Sequence, residues 1–167
     1  MNINELDALI FDFDGVLTDN KVYINENGIE SVCCSRADGL AFDALRKLDI
    51  PVYILSTESN PVVAVRGRKL SVPVIQGSSN KLISLKNLCE ENGYSLKNIL
   101  FSGNDLNDFE VMKHCGFSAC PADSNSKIIT ISNFVLSSKG GEGFVRELLE
   151  EVLKIDLLDV LSGVNND

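Results

Sequence analysis

The segment LIFDFDGVLTDN, residues 9–20, places three carboxylates directly after a run of apolar side chains. Asp12, Asp14 and Asp19 fall within eight positions, and like charges at that spacing repel one another. The arrangement therefore needs either solvent or a cation that offsets the charge. Mg²⁺ prefers oxygen ligands, so carboxylates clustered at the end of a buried strand suggest a site for this ion.

Four further polar side chains occupy positions of the same kind. Ser56 ends the apolar run IPVYILS, Lys81 opens the helical segment NKLISLKNLCEENG, and Asp105 and Asp108 follow the apolar run NILFS. The carboxyl ends of parallel strands meet at one edge of a sheet, where such sheets bind ligands. We therefore expect these side chains to share one edge with the first two carboxylates.

Apolar runs of strand length alternate with segments of helical periodicity along most of the chain. We expect strands at ALIFDF, IPVYILS, VPVIQG, NILFSG and NFVLS, and helices at DGLAFDALRKLD, NPVVAVRGRKL, NKLISLKNLCEENG and DFEVMKHCG. An amphipathic helix that breaks near Asp156 should follow in EGFVRELLEEVLKIDLLDVL. The strand runs lack apolar and polar alternation, which is typical of a parallel sheet covered on both faces. The sequence predicts an α/β fold with a doubly wound parallel sheet.

The segment KVYINENGIESVCC departs from this alternation. Its strand-like flanks surround Asn27-Gly28, a favoured dipeptide for a tight hairpin turn. We expect a small β-hairpin insertion at about residues 20–35. The sequence contains no repeat or linker, so residues 1–167 are predicted to form a single domain, with fraying of the final SGVNND.

Composition limits the classes of function. The chain of 167 residues is 44% hydrophobic, which is enough for a substantial core. No apolar run approaches the roughly 20 residues of a membrane span, and the first residues lack the basic region of a signal peptide, so we expect a cytoplasmic protein. A formal net charge of -9 argues against nucleic acid or an anionic membrane as partner. Five cysteines fit reduced thiols, and one histidine cannot build a zinc cluster alone.

The segment DFDGVLTD, the strand-end Ser56, the helix-opening Lys81 and the segment GNDLND resemble, in order, the four motifs of the haloacid dehalogenase (HAD) phosphatase superfamily. The resemblance implies a HAD-like Rossmannoid fold and Mg²⁺-dependent hydrolysis of a phosphomonoester. It makes Asp12 the nucleophile that forms an aspartyl phosphate, and Asp14 the general acid and base. Ser56 would donate to a phosphoryl oxygen, and Lys81 would balance the charge. Asp12, the backbone carbonyl of Asp14 and the carboxylate of Asp105 would hold Mg²⁺.

Smaller features narrow this resemblance. The stretches RADGLAFDALRK, VIQGSSNKL, GNDLNDFEVMKHCGFSACPAD and KGGEGFVRELLEEVL are similar to the 3-deoxy-2-ketoaldonate phosphate phosphatases. The segments between the motifs are too short for a cap domain. The resemblance implies a capless homotetramer, in which neighbouring subunits complete each active site around a small sugar phosphate.

Within this subfamily, the residues after the second motif favour a nonulosonate 9-phosphate as substrate. Ser56-Thr57-Glu58, followed by Arg66 and Lys69, resembles the enzymes that act on KDN 9-phosphate or N-acetylneuraminate 9-phosphate. This resemblance implies that Thr57 lies beside the phosphate and that Glu58 accepts hydrogen bonds from sugar hydroxyls. Arg66 and Lys69 would then meet the substrate carboxylate across a subunit interface. The other interpretation of RGRK is a solvated basic helix face.

Two alternatives stay open. One is a 3-deoxy-D-manno-octulosonate 8-phosphate phosphatase. The sequence pattern of that family reads T-G-R at the positions where this chain has Ser56-Thr57-Glu58. The other is a non-catalytic tetramerisation domain, because Asn104 stands where the family commonly has Asp, as in the HAD domain fused to CMP-sialate synthetases. Asp108 either caps the following helix or occupies an outer position at the metal site.

Overall fold

The computed structural model describes residues 1–163; the last part of the predicted 1–167 domain, with most of SGVNND, lies outside the described residues. Six strands form one parallel sheet, and two more form an antiparallel hairpin. In chain order the eight strands are β1 (Ala8–Phe11), β2 (Thr18–Ile24), β3 (Glu30–Cys34), β4 (Val52–Leu55), β5 (Val74–Ile75), β6 (Ile99–Ser102), β7 (Phe117–Cys120) and β8 (Phe134–Val135).

The order of the strands places three site segments side by side. The sheet runs β5-β4-β1-β6-β7-β8, and every pairing within it is parallel. Because β1 lies between β4 and β6, the residues that follow these strands meet at the carboxyl edge: Asp12 after β1, Ser56 after β4 and Asn104 after β6. The predicted doubly wound parallel sheet is confirmed.

Helices cover both faces of this sheet. They are α1 (Arg36–Lys47), α2 (Val62–Leu70), α3 (Lys81–Asn92), α4 (Phe109–His114), α5 (Ser126–Ile131), α6 (Phe144–Glu147) and α7 (Leu157–Ser162). Leu9 and Phe11 face a core shared with α1, α2, α6 and α7. Ala8 and Ile10, on the opposite face of the same strand, pack in a second core with α3, α4 and α5. Burial on both faces explains why β1 has no polar position.

The hairpin expected at about residues 20–35 is present and spans β2 and β3. The two strands pair antiparallel, with Val22 opposite Val32 and Ile24 opposite Glu30. Gly28 adopts a positive φ of 74° in the connecting turn, as the Asn27-Gly28 dipeptide predicts. Among residues 1–163, no helix is both long enough and apolar enough to cross a bilayer.

Two helix boundaries differ from the sequence prediction. α1 begins at Arg36 rather than Asp38, because the Ser35 side chain accepts from the N–H of Ala37 and caps the helix. The long C-terminal helix is interrupted earlier than expected, since Leu148–Val152 forms a π-helical turn after α6. Asp156 then caps α7 by accepting from two backbone N–H groups, which confirms the predicted break there.

Candidate active site

Asp12, Lys81 and Asp108 form a buried charged cluster at the carboxyl edge of the sheet. Lys81 Nζ lies 2.7 Å from Asp12 Oδ1 and 2.6 Å from Asp108 Oδ1, and none of the three side chains is more than 5% exposed. The backbone N–H of Phe13 also donates to Asp12 Oδ1, at 2.7 Å. Both contacts to Asp12 use Oδ1. The other oxygen, Oδ2, is therefore the atom that can meet a substrate or a cation.

Three local structures hold this cluster in place. The N–H of Asp12 donates to Ser102 O at 2.8 Å, which fixes the start of the loop after β1 against β6. Lys81 is the first residue of α3, whose N-cap is the Asn80 side chain. Asp108 Oδ2 accepts from the N–H groups of Asn104 and Asp105, so this residue caps its own 3₁₀ turn while Oδ1 binds Lys81.

Burial and charge set the protonation of the cluster. Burial raises the pKa of the Asp12 carboxyl and the Asp108 carboxylate raises it further, whereas Lys81 opposes both effects. Burial alone would lower the pKa of Lys81, but Asp12 and Asp108 outweigh burial and raise it. Lys81 therefore stays a cation, and a second cation beside Asp12 would stabilise its carboxylate form.

Asp14 lies two residues further on and is only half-buried. Burial, followed by the charge of the neighbouring Glu58 carboxylate, raises the pKa of Asp14. The Thr18 hydroxyl contacts the same carboxylate and lowers its pKa. A carboxyl group with a raised pKa at a solvent-accessible position is suited to give a proton to a leaving group.

Hydrogen-bond donors surround the position in front of Asp12. Ser56 is fully buried, and its Oγ accepts from the N–H of Glu58 at 3.1 Å, which leaves the hydroxyl proton for another acceptor. In residues 1–163 no group accepts from the backbone N–H of Asp14 or of Thr57. The exposed Thr57 side chain accepts from Asn107 Nδ2 at 3.5 Å, between the loops after β4 and β6. The sequence indicated Ser56, but side-chain patterns do not show free backbone donors.

The loop after β6 places Asn104 inside the site and Asp105 outside it. Asn104 is 6% exposed, and its Oδ1 is buried without a hydrogen-bond partner among the described residues. A Cβ on Gly15 would lie 2.6 Å from Asn104 Cγ, so the amide packs directly on the residue after Asp14. Asp105, which the sequence assigned to the metal, is exposed, and its Oδ1 accepts from Leu106 N and Asn125 Nδ2. The geometry therefore departs from that assignment.

The donor set around Asp12 fits a magnesium ion. Across residues 1–163, no three or more His, Cys, Asp or Glu side chains converge on one point that could hold a metal. The oxygen donors available there are instead Asp12 Oδ2 after β1, the orphaned Oδ1 of Asn104 after the adjacent β6 and, as the family resemblance implies, the backbone carbonyl of Asp14. Mg²⁺ uses few protein ligands and keeps several waters, so a set of this size and chemistry is sufficient.

Glu58 lies at the mouth of the site and organises its own loop. Its Oε1 accepts from the N–H groups of Ser59 and Asn60, each at 2.7 Å, just before α2. Its charge reaches Asp14, whose pKa it raises. The sequence predicted a contact with sugar hydroxyls, and Oε2 is the oxygen outside the loop contacts.

Arg66 and Lys69 lie together but not within the charged cluster. Both line a groove of about 280 Å³ between α1 and α2, with Arg36 on the opposite side. Arg66 Nη2 donates to Ser35 O at 2.8 Å, so this guanidinium is partly occupied within its own chain. Lys69 is exposed. Among the described residues, neither side chain contacts Asp12. A role in substrate binding therefore requires a substrate or a neighbouring subunit that reaches from this groove to Asp12.

Comparison with known proteins identifies the family. A family model described as haloacid dehalogenase-like hydrolase matches residues 40–148, more than half of the chain. The chain belongs to this hydrolase family. The expected HAD resemblance and hydrolase class are thereby confirmed.

Several relatives of the HAD hydrolase carry a more specific description. The 3-deoxy-D-manno-octulosonate 8-phosphate phosphatase KdsC of Escherichia coli K12 is 34% identical over 146 residues, covering 87% of this chain and 78% of the relative. A HAD family hydrolase from Streptomyces avermitilis superimposes with a TM-score of 0.88 at 39% identity, covering 90% of this chain and 86% of that one.

One solved relative was captured with ligands. The 3-deoxy-D-manno-octulosonate 8-phosphate phosphatase of Moraxella catarrhalis, in complex with magnesium ion, phosphate ion and KDO, superimposes with a TM-score of 0.86 at 29% identity. The superposition covers 91% of this chain and 88% of that chain. These relatives place the HAD hydrolase with the octulosonate phosphatases, which the sequence treated as the alternative. The more specific resemblance to nonulosonate phosphatases and CMP-sialate synthetases, which the sequence favours, is not confirmed.

Proposed function

We propose that the protein is a Mg²⁺-dependent phosphatase that hydrolyses the terminal phosphate of a 3-deoxy-2-ulosonate. One observation carries the proposal: a buried aspartate, Asp12, paired with Lys81 and followed two residues later by Asp14, whose pKa is raised. A nucleophilic carboxylate and a neighbouring acid are the two groups that an aspartyl-phosphate mechanism needs.

The side chains divide the chemistry between two steps. Asp12 Oδ2 attacks phosphorus as the bond to the sugar oxygen breaks, and Asp14 gives its proton to that oxygen. Asp14 then takes a proton from water, which attacks the aspartyl phosphate and releases inorganic phosphate and free Asp12. Ser56, the N–H groups of Asp14 and Thr57, and Lys81 supply donors and charge for the phosphoryl oxygens in both steps.

Asp12 Oδ2, the carbonyl of Asp14 and Oδ1 of Asn104 would hold Mg²⁺ in this proposal, rather than the exposed Asp105. When bound, the ion offsets the repulsion between the Asp12 carboxylate and a phosphate dianion. The Lys81–Asp108 pair remains beside it and keeps the nucleophile oriented.

The first candidate substrate is 3-deoxy-D-manno-octulosonate 8-phosphate, which the names of the relatives support. The test is phosphate release, with Mg²⁺ present, from this compound, KDN 9-phosphate, N-acetylneuraminate 9-phosphate and unrelated sugar phosphates. We expect the highest kcat/KM within the ulosonate group. Equal rates on hexose phosphates would contradict the proposed substrate class.

The second candidate is a nonulosonate 9-phosphate, and Glu58 is the observation that favours it. This carboxylate lies near Asp14 and can accept from the hydroxyls of a longer sugar. Loss of one charge-assisted hydrogen bond costs roughly ten- to a hundredfold in specificity. Glu58→Gln should lower kcat/KM for nonulosonate phosphates by that factor and leave an aryl phosphate little changed. Equal losses on both substrates would remove this candidate.

A purely structural role is the remaining alternative. A non-catalytic domain has no need of a buried Asp12–Lys81–Asp108 cluster, which leaves several charged groups out of water. We also propose that the protein is a homotetramer, since Asp14 and Thr57 at the edge of the site are accessible to solvent and the two sheets of residues 1–163 provide no domain that covers them. Absence of phosphate release from every compound tested would favour the structural role.

A further inference from the structure

Residues 139–143, KGGEG, form a turn, the glycine turn, that lies against residues 12–19, the nucleophile loop. A Cβ added to Gly140 would overlap the carbonyl oxygen of Gly15 and lie 2.8 Å from Thr18 O. A Cβ on Gly141, whose φ is +71°, would lie 2.6 Å from the backbone nitrogen of Asp19. Side chains do not fit at such distances, so glycine at both positions is what permits the two backbones to touch.

The glycine turn is anchored independently of the loop it touches. Asp123, which follows β7, accepts from the N–H of Gly140 at 3.0 Å. Glu147 of α6 accepts from the N–H groups of Ser137 and Ser138 and from the Ser137 hydroxyl, at 2.7–2.8 Å. The glycine turn therefore connects the nucleophile loop with the end of β7 and with α6.

Contacts on both sides fix the residue that follows Asp14. The amide of Asn104 packs against the Cα of Gly15, and the Cα of Gly140 packs against the carbonyl group of Gly15. The N–H of Gly141 also donates to Val16 O at 3.0 Å. Gly15 is therefore held between the loop after β6 and the glycine turn, and Asp14 is directly attached to it.

We propose that the glycine turn is a positioning element that holds Asp14 in the orientation required for proton transfer. This inference rests on the proposed phosphatase function. Gly140, Gly141 and Asp123 touch neither the phosphate nor the leaving group; they act through the backbone of Gly15 and Val16.

Two alanine variants form a matched pair. Gly141→Ala and Gly93→Ala place alanine at φ values of +71° and +72°, so both carry a similar backbone strain. Gly93 has nothing within 4 Å of its added Cβ, whereas Gly141 meets the nucleophile loop. Any difference between the variants therefore reports displacement of that loop.

The first measurement is the dependence of kcat/KM on the leaving group. A sugar alkoxide needs the proton of Asp14, and p-nitrophenolate leaves without one. We expect Gly141→Ala to lose about a hundredfold in kcat/KM on the sugar phosphate, since misplacement of a catalytic group by about 1 Å costs that much. The loss on p-nitrophenyl phosphate should be much smaller, and Gly93→Ala should match wild type on both. A uniform loss on both substrates would overturn the proposal.

The second measurement does not depend on activity. Amide hydrogen exchange of residues 12–19 should accelerate in Gly141→Ala and stay at the wild-type rate in Gly93→Ala. Unchanged exchange in this loop would overturn the proposal even if phosphate release is observed, while accelerated exchange in a protein without phosphatase activity would count against the proposed function alone. If Gly141→Ala does not fold, Asp123→Ala removes the anchor of Gly140 without adding atoms, and the same two measurements decide.

Discussion

Lys81 and the two buried carboxyl groups that it contacts are arranged for function rather than for stability. One cation lies between two carboxyl groups, and burial together with the Asp108 charge raises the pKa of Asp12 to about 8, so the second carboxyl group is held out of water at a cost. A stabilising ion pair would need only one of the carboxylates. Asp108 fixes the ammonium group, which leaves Asp12 free to share its own charge with a bound cation and a phosphoryl group.

Asp12→Asn should abolish turnover, with kcat lower by at least about a thousandfold, because an amide is not a nucleophile toward phosphorus. The fold should persist, since Lys81 keeps its contact with Asp108. In chelator the variant should melt no lower than wild type, because the buried carboxyl group that Asp108 crowds is gone. Phosphate release and thermal denaturation by circular dichroism measure both effects, and substantial residual turnover would remove Asp12 from the role of nucleophile.

Substitutions of Asn104 and of Asp105 should have different effects on the affinity for Mg²⁺. We expect Asn104→Ala to weaken Mg²⁺ binding by about tenfold or more and Asn104→Asp to strengthen it, because affinity for hard cations rises with ligand charge. Asp105→Ala should leave the affinity nearly unchanged. Titration calorimetry with Mg²⁺ alone measures all three variants. The reverse order of effects would restore the assignment made from the sequence.

The sequence could predict the edge of the sheet but not the direction of each side chain. Strand ends and spacing were sufficient to bring Asp12, Ser56 and Lys81 to one edge. The choice between Asn104 and Asp105 depends on backbone dihedral angles, since Asp105 caps a 3₁₀ turn that Asp108 closes. Carboxylates are also the expected ligands by residue type, so pattern alone favours the exposed Asp105 over the buried amide beside it.

At the scale of elements, periodicity located helices and strands better than it located their interruptions. Ser35, Asn80 and Asp156 cap helices through side-chain oxygens, which sequence can indicate. The π-helical turn Leu148–Val152 has no such signal, because the apolar pattern continues through it. The segment KGGEG similarly indicates a turn by its glycines, but nothing in the sequence indicates that this turn contacts the nucleophile loop.

Glu147 gives a pH-dependent prediction for the anchoring of the glycine turn. Burial raises its pKa, but hydrogen bonds from Ser138 and Ser137 outweigh burial and lower the pKa to about 2. Because the pKa in the folded state lies below the ordinary value of 4.5, the carboxylate stabilises the fold above that value and loses its effect as pH falls toward 2. Glu147→Gln should therefore unfold at lower urea than wild type at pH 7, and the gap should narrow between pH 4.5 and pH 2. A gap that is constant with pH would contradict this linkage.

At the scale of the whole molecule, the hairpin that follows the nucleophile loop exposes apolar surface. Four large side chains of β2 and its turn are 53–67% exposed: Val22, Tyr23, Ile24 and Ile29. A protein with net charge -9 is otherwise well suited to remain monomeric, so this concentration of apolar side chains is where association is expected.

Ile24→Asp combined with Ile29→Asp should dissociate the proposed tetramer, because buried carboxylates without partners oppose association. Light scattering should give four times the 18.2 kDa chain mass for wild type and one or two times that mass for the variant. Leu158→Asp, at a 75% exposed position on α7, is the control and should remain tetrameric. If neighbouring subunits complete the site, the dissociated variant should lose activity on the sugar phosphate and keep it on p-nitrophenyl phosphate, which needs only the Asp12 cluster. A monomeric wild-type protein that hydrolyses the sugar phosphate efficiently would show that the chain encloses its substrate alone.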